Sequence, residues 1–549
     1  MDDSVDISNP NYYTKIDELT AQGLLDRDAV LYELTRRICM FGVVDSETEL
    51  PHLRRTFDSL AVETNGTKTL TQSAFLSFLE STGFLSPSMR DAGALVYRSL
   101  LYLSQYPFHQ PIPDSLTYMA LIRALAWTMP GQARPVHDEC KASRTRSPAD
   151  FRRLLFQSFA TARDGKSIPF DAEYAKVQAQ RRAFDFVGAS HHYDGLKFPK
   201  TNYDDHGDEM FHDILDVLFS IQPQIIWLAP PPRDCFRATA RKLAGDERLH
   251  DLSIPQDQFR SVVKLLVTAS FRKPTVPVEG LVDLDHVVDC MVRPAIQRPD
   301  IGITWDMYDK AARGGMPMLV SSLMCLLTPF YKDPEDEDYT LTIPQSGKVA
   351  TLPIFAQMGS LNIFGICQGL QEYKYYDLRT TSVTASTIAD DLDAFPKAQI
   401  ILLLSGKDSR TEKKTIFGYY VPLLEIKHAP FLFQLSDTSD SFRGNGPRPG
   451  HELDGGELII GQRGNGAALM LRQDSKRAIV SHNVSTQFEP MYAANTWRGD
   501  WQIEFDVEEI ELWMLPEDEE EDGEVDEEVD GETNEEENGE KVEDEDESP

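Results

Sequence analysis

The sequence predicts an α+β protein: a helical N-terminal half, then an antiparallel β-sandwich with flanking helices. Three observations carry this expectation. Up to Phe330 the apolar residues recur at helical spacing. From about Asp338 they fall into short alternating or wholly apolar runs punctuated by glycine. After Leu515 the chain turns to acid, with 21 acidic residues and one lysine between 517 and 549.

The length of 549 residues exceeds what one core supports, and the expected units are 1–135, 150–335, 339–515 and an acidic tail, 516–549. The tail holds about −20 of the total net charge of −35. Such a block cannot bury apolar surface and is expected to be disordered. The negative sign argues against nucleic-acid binding, since phosphates would repel it. No apolar run approaches the ~18 residues needed to span a bilayer. The start, Met1-Asp2-Asp3-Ser4, has no signal-peptide pattern, and Asp2 stands where N-myristoylation requires glycine. Any membrane association is therefore expected through a partner. Cys39, Cys140, Cys235, Cys290, Cys325 and Cys367 lie far apart without a C-x-x-C pair. This is the pattern of reduced, buried thiols of a cytosolic or nuclear protein.

Taken in order, residues 15–42, 50–60 and 85–103 show helical periodicity. Between them, FDSLAVETNGTKTLTQSAFLSFL (57–79) has the outline helix, polar loop, helix, and resembles an EF-hand. Its calcium chemistry is missing. With Leu70 at the central hydrophobic position, Glu63 comes first and Ala74 last, where a bidentate glutamate is required. A metal-free helix pair is the expectation.

Residues 131–150 are polar, basic and Pro-containing, and read as the internal boundary. Helices follow at 208–219, 237–243, 255–270 and 285–292, broken by prolines at 230–232 and 273–277. Ile303-Thr304-Trp305 and Met316-Pro317 lead into an apolar helix ending at Phe330. In the last unit, strands are expected at 339–343, 399–404, 416–421, 431–435, 457–461, 467–471, 478–480 and 505–513, with an apolar stretch at 352–370.

The order of motifs in this unit resembles the TLDc domain, the module of oxidation-resistance proteins and of vacuolar proton-pump regulators. Tyr376-Asp377-Leu378-Arg379 and Ser386-Thr387-Ile388 precede the apolar strand, Phe417-Gly418-Tyr419-Tyr420 supplies a glycine between aromatics, and Phe431-Leu432-Phe433 follows. The glycine-rich hairpin has Gly461, Gly464 and Gly466, the turn after it has Ser485, and Ile510-Glu511-Leu512-Trp513 closes the pattern. The helical half with its degenerate EF-like pair looks like the fungal "restriction of telomere capping protein five" branch and its animal EAK-seven relatives.

The resemblance implies a non-enzymatic, monomeric, cytoplasmic regulator without cofactors. It would bind head and peripheral-stalk subunits of the V-type proton ATPase at the vacuole and promote disassembly. Loops 405–414 and 436–448 are the expected exposed contacts. Two alternatives stand beside it: an oxidative-stress resistance effector with undefined or weak enzymatic activity, and an acidic-tail binder of histones or other basic proteins.

Four patterns invite chemistry. G-x-x-G-x-G at 461–466 suggests a phosphate loop, but strand residues follow where a helix must open, so hairpin glycines are expected. His191, His192, His206, Glu209 and His212 could approach a metal, yet a solvated loop and helix start accounts for them. Ser481-His482 is a serine–histidine adjacency without a nucleophile elbow. Trp513 is expected in the core, sharing strand parity with Phe505 and Val507. Glu511 beside it must be hydrogen-bonded, with the backbone of the glycine hairpin as the expected donor.

Overall fold

The computed structural model describes residues 10–64, 66–138, 148–162, 171–182, 209–222, 231–270, 278, 280–298, 300–333, 346–361, 370–394, 398–422, 429–446, 450–486 and 488–515. It is a mixed helix and sheet protein with a large antiparallel sheet in its C-terminal part. The expected strand at 339–343 and the acidic tail lie outside the described residues, as do Cys140, Cys367, His191, His192 and His206.

The chain begins with α1 (Pro10–Ala21), α2 (Arg27–Met40), α3 (Glu49–Leu60), the short strands β1 (Val62–Thr64) and β2 (Thr67–Thr69), and α4 (Gln72–Ser81). Then come α5 (Arg90–Leu103), α6 (Tyr118–Ala126) and α7 (Pro130–Asp138). Gly23, at φ +70°, ends the first run, so residues 15–42 form two helices. Two helix–loop–helix units meet where Leu70 and Leu116 exchange both backbone hydrogen bonds, at 2.8 and 3.1 Å. Each exiting helix is capped alike: Thr71 accepts from the Ala74 N–H and Thr117 from the Ala120 N–H. The polar stretch expected as a boundary is partly helical. Ala133 and Val136 of α7 are fully buried, and α7 packs against α2.

The middle comprises α8 (Pro148–Phe159), β3 (Thr161–Ala162), α9 (Ala172–Arg182), α10 (Glu209–Ser220), α11 (Arg237–Ala244), β4 (Leu252–Ser253), α12 (Gln256–Ala269), α13 (Leu284–Val292), α14 (Trp305–Gly315) and α15 (Leu319–Leu327). Helix α12 is the hub: it touches α5, α13, α15 and the later α16 (Leu352–Ser360). Phe330, just beyond α15, reaches back into the first helix pair, 5.4 Å from the ring of Phe75 and 4.6 Å from Phe78. Among the described residues no single helix is long and apolar enough to cross a membrane.

The sheet contains β5 (Gln371–Asp377), β6 (Gln399–Asp408), β7 (Lys414–Val421), β8 (Phe431–Ser436), β9 (Asp440–Arg443), β10 (His451–Asp454), β11 (Glu457–Gln462), β12 (Asn465–Leu471), β13 (Arg477–Asn483) and β14 (Trp501–Leu515). Helix α17 (Ala385–Asp393) follows β5 and packs on β10 and β11. The strand order is β10-β11-β12-β13-β14-β6-β7-β8-β9, with β5 also on β14. The long β14 is the spine. Its first half pairs with β13, its second half with β5, and β6 runs along its other edge.

Both faces of β6 are buried, which explains the unbroken QIILLL run. Ile400, Leu402 and Leu404 join Phe417, Tyr419, Leu432, Leu458, Ile460, Leu469 and Val480 in a core within the sheet. Ile401 and Leu403 face the other way and belong to the helical core, with Tyr420, Phe431, Phe433 and Trp513. That core is continuous from Ile16 to Trp513.

One expectation fails on β14. The register of β14 against β6 shifts between Val507 and Glu509. The bulge reverses side-chain parity, so Phe505 and Val507 share the sheet core with Ile510 and Leu512, while Trp513 faces the helices. Gly406 on β6 permits the bulge: a Cβ there would fall 1.9 Å from the Asp506 carbonyl oxygen.

Candidate functional site at the joint between helices and sheet

Two contact zones fasten the sheet to the helices. The first is built on Glu511, which is fully buried on β14. Its carboxylate accepts the backbone N–H groups of Lys348 (2.5 Å), Val349 (2.7 Å) and Ala350 (2.9 Å). It also accepts the indole N–H of Trp513 at 3.0 Å. Glu511 is thus hydrogen-bonded as expected, but to the turn before α16 and not to the glycine hairpin. The turn needs Gly347, where a Cβ would lie 2.7 Å from both the carboxylate and the indole. Trp513, 1% exposed, packs edge-on against Phe355 of α16 with centroids 4.9 Å apart. Burial of so large an indole contributes about 2–3 kcal/mol.

The second zone is the β8–β9 hairpin, and here the structure corrects the sequence. Loop 436–448 was expected to be exposed, but Ser436, Thr438, Ser439, Asp440 and Ser441 are buried against α13 and α14. The hydroxyls of Ser439 and Ser441 donate to the carbonyls of Gly315 (2.8 Å) and Gly314 (2.7 Å). They supply partners for carbonyls that a helix C-terminus leaves open. The Ser439 N–H donates to the Cys290 carbonyl at 2.9 Å, and Arg293 pairs with Asp437 at 2.7 Å.

Between the two serines sits Asp440, with no exposed surface. It accepts from Asn495 Nδ2 (2.6 Å), Arg498 (2.9 Å) and the Ser441 N–H (3.0 Å). Burial pushes its carboxyl up to about 6, against the opposing pull of Arg498. Gly314 is the close neighbour: a Cβ there would meet the carboxylate at 2.4 Å. Asp440, Asn495, Arg498 and Gly347 carry no local motif, and sequence reasoning passed over all four.

His482 completes this network. Its Nδ1 donates to the Gly499 carbonyl (2.8 Å), and its Nε2 accepts the Asn495 N–H (2.9 Å). The ring stacks on Trp501 at 4.9 Å, and the Arg498 guanidinium lies 4.5 Å from the Trp501 centroid. Burial holds the imidazole below its usual range. Ser481 is its neighbour on β13 and so points to the opposite face.

Gly418, Gly461 and Gly466 have packing roles. Gly418 lies opposite Phe433, whose ring would be 2.2 Å from any Cβ. Gly461 (φ +95°) and Gly466 (φ +70°) lie against the Ala467 carbonyl and against Tyr492. Gly464 (φ +71°) forms the tip of the β11–β12 hairpin, with open space around it. A strand follows where a dinucleotide loop would open a helix. Ser485 is exposed beyond β13, as Gly464 is at the hairpin tip, whereas Gly418, Gly461, Gly466, Glu511 and Trp513 are buried.

Glu209 and His212 were expected at a solvated helix start, but both are buried, at 5% and 2% exposure. Glu209 accepts the Trp305 indole N–H (3.1 Å), and His212 Nδ1 lies 2.9 Å from Arg233. On the same helix Asp213 holds the buried Arg153 guanidinium through contacts of 2.6 and 2.8 Å. Burial raises the thiols of Cys39, Cys235 and Cys325, and raises Cys290 to about 12.

The β6–β7 hairpin, by contrast, is exposed where expected, at Lys407 and across residues 409–413. Its tip is held in one shape. Asp408 accepts the N–H groups of Arg410 (2.9 Å) and Thr411 (2.6 Å), and the Ser409 N–H donates to the Glu504 carbonyl at 2.9 Å. Comparison with protein-family models gives no match, and comparison with curated proteins gives none either.

Proposed function

We propose that the chain is a non-enzymatic TLDc-type adaptor of the V-type proton ATPase, with an EF-hand-like helix pair at its N-terminus. It works in the cytoplasm, is recruited to the vacuolar membrane by its partner, and promotes release of the ATPase head from the membrane sector. One observation carries this reading. Gly418, Gly461, Gly466, Glu511 and Trp513, the buried residues that bear the resemblance, serve backbone packing and the attachment of one sheet. They build a rigid platform, and its ordered polar hairpin at 407–413 is left to make contacts. The two-way Leu70–Leu116 bridge supports the EF-hand-like part. Thiols raised by burial weigh against a thiol-based oxidative-stress effector.

The hairpin carries Lys407, Arg410 and Lys413; Lys407 also lies 3.3 Å from Glu508 and Lys413 3.7 Å from Asp437, so its exposed positive charge centres on Arg410, which suits an acidic face on a head or stalk subunit. The test uses the purified full chain and purified V-type ATPase, with binding read by interferometry and sector release by native gel. Binding that falls at least tenfold in an Arg410→Glu/Lys413→Glu variant supports the proposal. No binding, or equal binding by the variant, overturns it.

A further inference from the structure

The second helix–loop–helix unit carries its own cations. Leu116 occupies the place in loop 104–117 that Leu70 occupies in the first loop, since the two residues bridge each other. By the count applied to the first loop, His109 comes first and Ala120 last in the second. Neither supplies the carboxylate that a calcium loop of this length needs. The loop oxygens are nonetheless gathered.

Arg27, at the start of α2, sends its guanidinium across 78–84 residues of sequence into this loop. It donates to the Gln110 carbonyl, to Gln105 Oε1 at 2.8 Å and to the Pro111 carbonyl at 2.9 Å. It also lies 5.2 Å from the centroid of the Phe108 ring. A second arginine works beside it: buried Arg123 donates to the Ser104 carbonyl at 2.8 Å and to the Thr35 hydroxyl at 2.8 Å. Four loop oxygens thus converge on two guanidinium groups.

We propose that Arg27 and Arg123 are the resident cations of this loop, so that the helix pair is ordered permanently and does not respond to calcium. The chemistry favours this arrangement. A guanidinium offers five N–H donors in a fixed fork and stays protonated, so it can hold carbonyl oxygens much as a metal ion would. Being covalent, it costs no binding equilibrium. The first loop is closed by a different device, the β1–β2 pairing and the Tyr97 hydroxyl donating to the Leu70 carbonyl at 2.7 Å. Among the described residues, the arginine contacts gather on the second loop.

The experiment is hydrogen–deuterium exchange on the full chain, in chelator and in about 1 mM calcium, a level that fills even weak sites. Equal protection of residues 104–117 in both conditions is expected for the unaltered protein. Arg27→Met should speed exchange there at least tenfold, calcium should not restore it, and the sheet should be unchanged. Arg27→Lys keeps the charge but loses the fork, and should fall between. Calcium-dependent protection in the unaltered chain overturns the proposal, whether or not the variants fold. Unchanged exchange in a folded Arg27→Met overturns it as well.

Discussion

Trp513 donates its indole N–H to the carboxylate of Glu511, two residues back on the same strand, at 3.0 Å. The pair faces out of the sheet and clamps the turn that starts α16. Glu511→Ala would leave three backbone N–H groups and the indole unpaired in a buried site. Unpaired buried donors cost ~1–3 kcal/mol each before relaxation, so a net loss of about 3–5 kcal/mol is expected in urea unfolding. Gly347→Ala should also destabilise, because its methyl meets the same carboxylate. A loss under about 1 kcal/mol for Glu511→Ala would mean that the clamp contributes little.

The hairpin glycines separate two causes of strain. Gly464→Ala meets only the left-handed backbone, at a cost of about 1 kcal/mol. Gly466→Ala adds a methyl 2.2 Å from the Tyr492 carbonyl oxygen and should lose several-fold more stability. Equal melting temperatures for the two variants would contradict this placement of Tyr492.

Asp440 gives the joint a pH dependence with a definite sign. Its carboxyl titrates at about 6 in the folded protein, against about 3.9 in an unfolded chain. The folded state therefore keeps a proton that the unfolded state loses. This contribution, on the order of 3 kcal/mol, is fully present below pH 4 and is lost as pH rises through 6. Asp440→Asn should flatten the melting-temperature profile between pH 4.5 and 7, roughly that window. Parallel profiles for variant and unaltered protein would show that another group controls the slope.

The bulge at Glu508 sets which side of β14 meets the helices. Gly406→Val places a side chain where a Cβ already falls 1.9 Å from the Asp506 carbonyl oxygen, so it should block the bulge, force Trp513 into the parity of Phe505 and put Glu511 in the sheet core. Loss of the cooperative unfolding transition is expected in circular dichroism. A Gly406→Val variant that still unfolds cooperatively at a similar temperature would argue against a fixed register.

Much of the candidate site was legible as pattern but not as partnership. The strands around Gly418, the glycine hairpin and the acidic-aromatic ending of β14 all stand where periodicity puts them. That Glu511 must be bonded follows from burial alone. Its donors lie more than 160 residues away in sequence, at Lys348, Val349 and Ala350, and no local pattern names them. The same holds for Asp440. Ser439-Asp440-Ser441 has the composition of an exposed polar turn, and only the docked end of α14 makes its hydroxyls and carboxylate buried ligands.

The sequence by itself determined the change from helices to strands and most strands of the large sheet, because apolar spacing and glycine placement are local physical constraints; β5, β9 and β10 escaped it. It also determined that β6 would be buried on both faces, since an unbroken apolar run has no solvent side. The tertiary structure decided which face of each strand meets which core. A one-residue bulge reverses parity, and Val507 and Glu509 look like ordinary strand residues. It likewise decided that Arg27 would fill loop 104–117 and that the β8–β9 hairpin would be buried. A buried polar group takes whichever partners the packed fold delivers, and those partners come from anywhere in the chain.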